Sequence, residues 1–140
     1  MAYLTDGYQT LISFALAPSV NFKEKEVTPP GLDGGGEIDT TTMRNTAWRT
    51  KQPKHLVTAD DIVLQAQYDP VCYNTILTDL LNQNGQIEVI FPDGQIITIW
   101  GWVDKFKPAA LKEGEFPLAE VVIHPSNQDN TGTEQAPVIT

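Results

Sequence analysis

The sequence predicts a mainly β protein with one flanking α-helix. Apolar and polar residues alternate along several short segments, the two-residue period of a strand. Asp93-Gly94 joins two such segments, which is a strong hairpin signal. One stretch, residues 71–82, instead places apolar side chains four apart, as a helix does.

Leu11 to Ala17 and Val20 to Val27 read as strands flanking a turn at Pro18-Ser19. The consecutive charges Lys23-Glu24-Lys25-Glu26 suit an edge strand, and Pro29-Pro30 end it. A long polar loop follows, about residues 31–54, with Gly34-Gly35-Gly36, Thr40-Thr41-Thr42 and Pro53. Loops of that length are usually functional or disordered. Met43 and Trp48 lie in it, and Trp48 either packs on its own domain or anchors a partner surface. Leu56 to Tyr68 reads as one long strand, with Ile62, Leu64, Ala66 and Tyr68 on one face and Asp61, Val63, Gln65 and Gln67 on the other. Asp69 then caps a helix that opens on Pro70. Cys72, Ile76 and Leu80 form one apolar row and Tyr73, Leu77 and Leu81 a second; Asn84-Gly85 supplies the stop. Cys72 reads as a small core hydrophobe.

Residues 86–103 form the hairpin, turning at Pro92-Asp93-Gly94. Its returning strand is apolar on both faces: Ile96, Trp100 and Trp102 on one, Ile97, Ile99 and Val103 on the other. Such a strand needs cover on both sides. A last strand, Phe116 to His124, follows a turn at Lys112-Glu113-Gly114, and residues 125–140 read as a flexible polar tail.

Composition bounds the function. The 140 residues carry a formal charge of -9, and 41% are hydrophobic, as in a folded domain. No apolar run reaches the ~20 residues of a membrane span, and Leu11 to Ala17 lacks the basic flank of a secretory signal. A single cysteine provides no disulfide framework and no multi-cysteine metal site. The charge is segregated: residues 41–54 hold Arg44, Arg49, Lys51 and Lys54 with no acid, whereas residues 55–104 hold seven acids with no lysine or arginine. This argues against a duplex-DNA clamp, which needs clustered bases.

Signs of catalysis are thin, and neither a cofactor nor a metal is expected. There is no Gly-x-Ser-x-Gly elbow and no Walker loop. His55 and His124 are expected as half-exposed structural residues; an acid–base or metal role requires His124 to meet Asp60 and Asp61. Asp60-Asp61 is a poor carboxylate dyad, because neighbouring strand residues face opposite ways.

The order of parts adds a resemblance. Ile87-Glu88-Val89-Ile90-Phe91-Pro92-Asp93-Gly94, followed by Gly101-Trp102-Val103 and preceded by a helix with Leu80-Leu81, resembles the lambda-type tail tube family, the major tail tube proteins of long, non-contractile phage (siphophage) tails. The likeness implies a β-sandwich or barrel-like tail tube domain over residues 1–124, with 125–140 as a polar C-terminal tail. It implies a structural virion protein, assembled in the host cytoplasm, whose hexameric rings stack into a conduit for double-stranded DNA. It further implies contacts with tape measure, tail terminator and distal tail proteins, and none with a membrane. By position, residues 31–54 would be the loop between stacked rings, with Asp33, Glu37, Asp39, Met43, Arg44, Trp48, Arg49, Lys51 and Lys54 as its contacts; the bases would meet acids of the next ring. Asp61, Glu88 and Asp93 are the acids expected to face the bore. Other uses of the fold stay open: a type VI secretion tube, a single-ring terminator or baseplate component, or a phage β domain binding a surface or sugar through Trp48, Trp100 or Trp102.

Overall fold

A computed structural model describes residues 10–18 and 23–140. Val20 and its neighbours, and the expected core role of the Cys72 side chain, lie outside what is described. The chain divides into two units, one formed by the described residues up to Pro29 with Asp61–Thr140, the other by Pro30–Asp60.

The larger unit is built on one seven-stranded antiparallel sheet. Its strands are β1 (Leu11–Phe14), β2 (Glu24–Thr28), β7 (Ile62–Gln67), β8 (Gly85–Ile90), β9 (Ile96–Pro108), β10 (Leu118–Pro125) and β11 (Val138–Ile139), and the order across the sheet is β1-β8-β9-β10-β7-β2. The hairpin forms as expected, with Ile87 opposite Ile99 and Ile90 opposite Ile96. Its turn closes through the Phe91 amide on the Gln95 carbonyl at 2.9 Å, and Gly94 adopts a φ of 91° that disfavours a side chain. β9 continues past Val103 to Pro108 and is the spine of the sheet: β8 pairs its first half, β10 its second, and β11 lies beside Ile97 and Thr98 where β10 has ended.

Several expectations are corrected. β1 and β2 are not adjacent: β1 pairs β8 at one border of the sheet and β2 pairs β7 at the other. The sheet curls, so that the Ile12 amide of β1 donates to the Glu24 Oε1 of β2 at 3.2 Å. The expected strand over residues 56–68 is broken at Asp60-Asp61 into β6 (Thr58–Ala59) of the smaller unit and β7 of the larger one. The expected tail is structured: β11 pairs β9, Gln128 bridges Glu134, and Asn84 Nδ2 donates to the Gln128 carbonyl at 2.9 Å.

Period-two patterning builds the core. Ile12, Phe14, Ile62, Leu64, Ala66, Ile87, Val89, Ile99, Val103, Val121 and Ile123 are buried on the concave face. The helix closes it with Ile76 and Leu80. Ile76 and Leu80 of one predicted apolar row are buried; of the other, Leu81 packs partly against the core while Tyr73 and Leu77 stay about half exposed. The helix itself has three geometries, a 3-10 turn at Pro70–Cys72, an α turn at Tyr73–Thr75 and a π turn at Ile76–Leu80. Asp69 caps it as expected, accepting from the Val71 amide at 3.0 Å. The stop is Asn82, with a φ of 59°, and not Asn84-Gly85. Gly85 instead opens β8, where the Leu16 side chain lies 2.6 Å from the place a Cβ would take. Cover on the second face of β9 is partial: Trp100 and Trp102 remain half-buried.

The smaller unit replaces the expected loop with two antiparallel ribbons. β3 (Leu32–Asp33) pairs β6, and β4 (Glu37–Asp39) pairs β5 (Lys51–Pro53).

Candidate functional site

The sequence places its candidate contacts in the smaller unit, and the ribbon geometry shows how they are held. Gly35 and Gly36, both at positive φ, link the two ribbons, and Asp33 accepts from the Gly35 amide at 2.8 Å. Along β4 and β5 the threonines stitch the strands: the Thr40 amide donates to the Thr50 carbonyl at 2.9 Å, and the Thr50 amide to Thr41 Oγ1 at 3.0 Å. Asn45 fixes the connecting turn, donating from Nδ2 to the Trp48 carbonyl at 2.8 Å. These polar bonds tie down the backbone while the large apolar side chains point to solvent. Met43 is 103% exposed and Trp48 84% exposed. Trp48 therefore does not serve as a core residue of the smaller unit.

The charges of this ribbon are partly engaged within it. Lys51 pairs Glu37 at 3.1 Å and Arg49 lies 3.7 Å from Asp39, all within one hairpin. Hydrogen bonds from the Thr41 hydroxyl, then its amide, hold the Asp39 carboxyl below its ordinary value. Among the described residues, Arg44 and Lys54 make no ion pair.

In the larger unit the three acids expected to face a bore have different surroundings. Asp93 sits at the hairpin tip, where its carboxylate accepts from the Gln95 amide at 3.0 Å. Glu88 lies on the face of β8 opposite the core, across from Thr98 and Ser13. Asp61 is engaged: His124 Nδ1 lies 2.5 Å from its carboxylate, while His124 Nε2 lies 3.1 Å from Asp104. The register of β7 and β10 brings Ile62 opposite Ile123, which sets Asp61 beside His124. A bulge between Val122 and Ile123 adds Asp104 on the β9 side. The Asp61 hydrogen bond is the main reason the His124 pKa is raised, with the Asp104 charge adding to it. Trp102 meets the imidazole edge-on at 5.8 Å. Gly101 of the same segment is required by close packing, because a Cβ there would lie 2.5 Å from the His124 carbonyl oxygen.

Both imidazole nitrogens face carboxylates, so His124 reads as a strut between Asp61 and Asp104. His55 and Asp60 belong to the smaller unit, whereas His124 and Asp61 belong to the larger one. Among the described residues no group of three or more His, Cys, Asp or Glu is placed to hold a metal, and no helix is long and apolar enough to cross a membrane. Sequence reasoning missed Asp104, whose placement depends on the bulge.

No protein-family model and no curated protein matches the chain. Solved structures do. A chain of the virion of a native gene transfer agent particle superposes with a TM-score of 0.67 at 15% identity, covering 98% of this chain and 99% of that one. A chain of the anti-feeding prophage baseplate, six-fold symmetrised, gives 0.66 at 10% identity over 100% and 97%. A chain of an extracellular contractile injection system, the sheath-tube complex in its extended state, gives 0.64 at 12% identity over 99% and 92%. The mainly β architecture with its flanking helix is a tail tube fold.

Proposed function

We propose that this chain is a structural tail tube subunit of a phage or phage-like particle, whose copies form six-membered rings that stack into a conduit for double-stranded DNA. The observation that carries the reading is the full-length likeness to a gene transfer agent tail solved with six-fold symmetry, at a TM-score of 0.66 over 98% of this chain. Two features of the chain support it. The ribbon tip offers Met43 and Trp48 to a neighbouring ring. Because residues 55–104 carry no lysine or arginine, a bore lined by them has no counterion-release grip on phosphate. Of the three candidate acids we keep Glu88 for that wall, since His124 offsets Asp61 and Asp93 stands at a turn.

A second reading is a tube or baseplate ring of a contractile injection particle, favoured by the two likenesses to such assemblies. Negative-stain microscopy of the purified protein separates the outcomes. Long tubes of uniform width with six-fold end views are expected. Single rings alone favour the baseplate reading, and a monomer at every concentration and salt overturns both.

A further inference from the structure

The larger unit has two unlike ends. Its five lysines, Lys23, Lys25, Lys105, Lys107 and Lys112, are its only lysine or arginine residues. The register gathers them: Lys107 lies opposite Glu120, Pro108 opposite Ala119, and Glu24, between Lys23 and Lys25, opposite Ala66 beside Ala119. The opposite end of β9 carries the Asp93 turn and β11, with Val138 and Ile139 more than half exposed and no lysine or arginine on β8 or on β9 before Lys105. At the lysine end a groove of about 370 Å³ runs between the helix and β9; Tyr73, Leu77, Leu81 and Phe106 line it, and Asp104, Lys105 and Lys107 flank it.

Resting on the tail tube reading, we propose that this groove receives the Asp93 turn and the Val138-Ile139 strand of a second copy. The two surfaces match in kind. Exposed aliphatic side chains meet an apolar floor, and a carboxylate meets two lysines, the groove's own Asp104 being engaged by His124 at 3.1 Å. A single copy cannot make the contact, because roughly a dozen strand residues at ~3.3 Å each separate the turn from Lys105 and Lys107. The contact joins two different patches, so it is head-to-tail and propagates from copy to copy until a ring closes or a stack grows. The apolar part supplies the adhesion and the charges set the register. Most of those charges sit at the rim, so the register weakens as salt shortens the ~8 Å reach of the field at physiological ionic strength.

The test is a charge exchange on the full chain. One variant is Lys105→Glu with Lys107→Glu; the other is Asp93→Lys with Gln95→Lys. All four positions are exposed, and circular dichroism and thermal unfolding check that both variants fold. The critical concentration for assembly, followed by sedimentation and microscopy, is expected to rise at least about tenfold for each variant alone, since like charges then face each other. An equimolar mixture should recover wild-type assembly, because each altered end finds its complement. Folded variants that each assemble like the wild type, or a mixture no better than its parts, overturn the contact while leaving the tube reading intact. A wild-type protein that never self-associates overturns both.

Discussion

His124 is held at both nitrogens, by Asp61 at 2.5 Å and Asp104 at 3.1 Å, and its pKa is raised above the ordinary 6.5 mainly by the Asp61 hydrogen bond. A histidine whose folded pKa exceeds its unfolded one contributes stability that is complete below about pH 6.5 and is lost as pH rises through the raised value. The three side chains are each at least a third exposed, so solvent screening limits the effect to about 1 kcal/mol. His124→Gln is therefore expected to lower stability by about that amount at pH 5.5 and by progressively less as the pH is raised through the folded-state pKa. Urea unfolding of both proteins across that range measures it; parallel stability curves would show that the strut contributes nothing. Asp61 was legible as a polar strand residue and His124 as a strand end, but their meeting depends on β7 pairing β10, a choice made by the tertiary fold. Asp104 was less legible still, because a bulge changes which residues share a row.

At the scale of elements, what the sequence revealed was local. Asp93-Gly94 specifies a turn through the backbone of four residues, Asp69-Pro70 specifies a helix start, and the alternation of Ile62, Leu64 and Ala66 specifies a face; all three stand as expected. The separation of β1 from β2 by the whole sheet was hidden, since period-two patterning says which face is buried and not which strand is next door. The ribbons of residues 30–60 were hidden for a different reason: they bury almost no apolar surface and hold together by threonine and asparagine hydrogen bonds, which leave no hydrophobic pattern. The helix end was misplaced by two residues. The π turn lets the Leu81 amide bond the Ile76 carbonyl at 2.8 Å, and Asn82 then turns away in the left-handed region. Asparagine tolerates that region better than a β-branched residue does. Asn82→Val is expected to cost about 1–2 kcal/mol and Asn82→Gly close to none. Thermal unfolding measures both, and equal melting temperatures for the two variants would mean that the φ of Asn82 does not matter to stability.

At the scale of the molecule, the two units bring different physics to the proposed assembly. The larger unit segregates charge along a stiff sheet, whereas the smaller one carries four acids and four bases, two of each already paired in its own hairpin. On the proposed stacking, its contribution is expected to be mainly apolar, through Met43 and Trp48. An aromatic side chain of this size offers ~150–250 Å² of surface, worth several kcal/mol at ~25 cal/mol per Å² before the cost of ordering is subtracted. Truncating such an anchor typically costs at least ~2 kcal/mol of binding. In Trp48→Ser, the domain should fold with a nearly unchanged melting temperature, because the indole is 84% exposed. Assembly should suffer: at the protein concentration where the wild type forms tubes, the variant is expected to stop at rings or protomers, with a critical concentration raised about thirtyfold or more. Arg49→Ala is the matched comparison, since it removes an exposed charge paired at 3.7 Å and should shift that concentration by less than about fivefold. If Trp48→Ser polymerises like the wild type while Arg49→Ala does not, charge rather than apolar burial holds successive rings together.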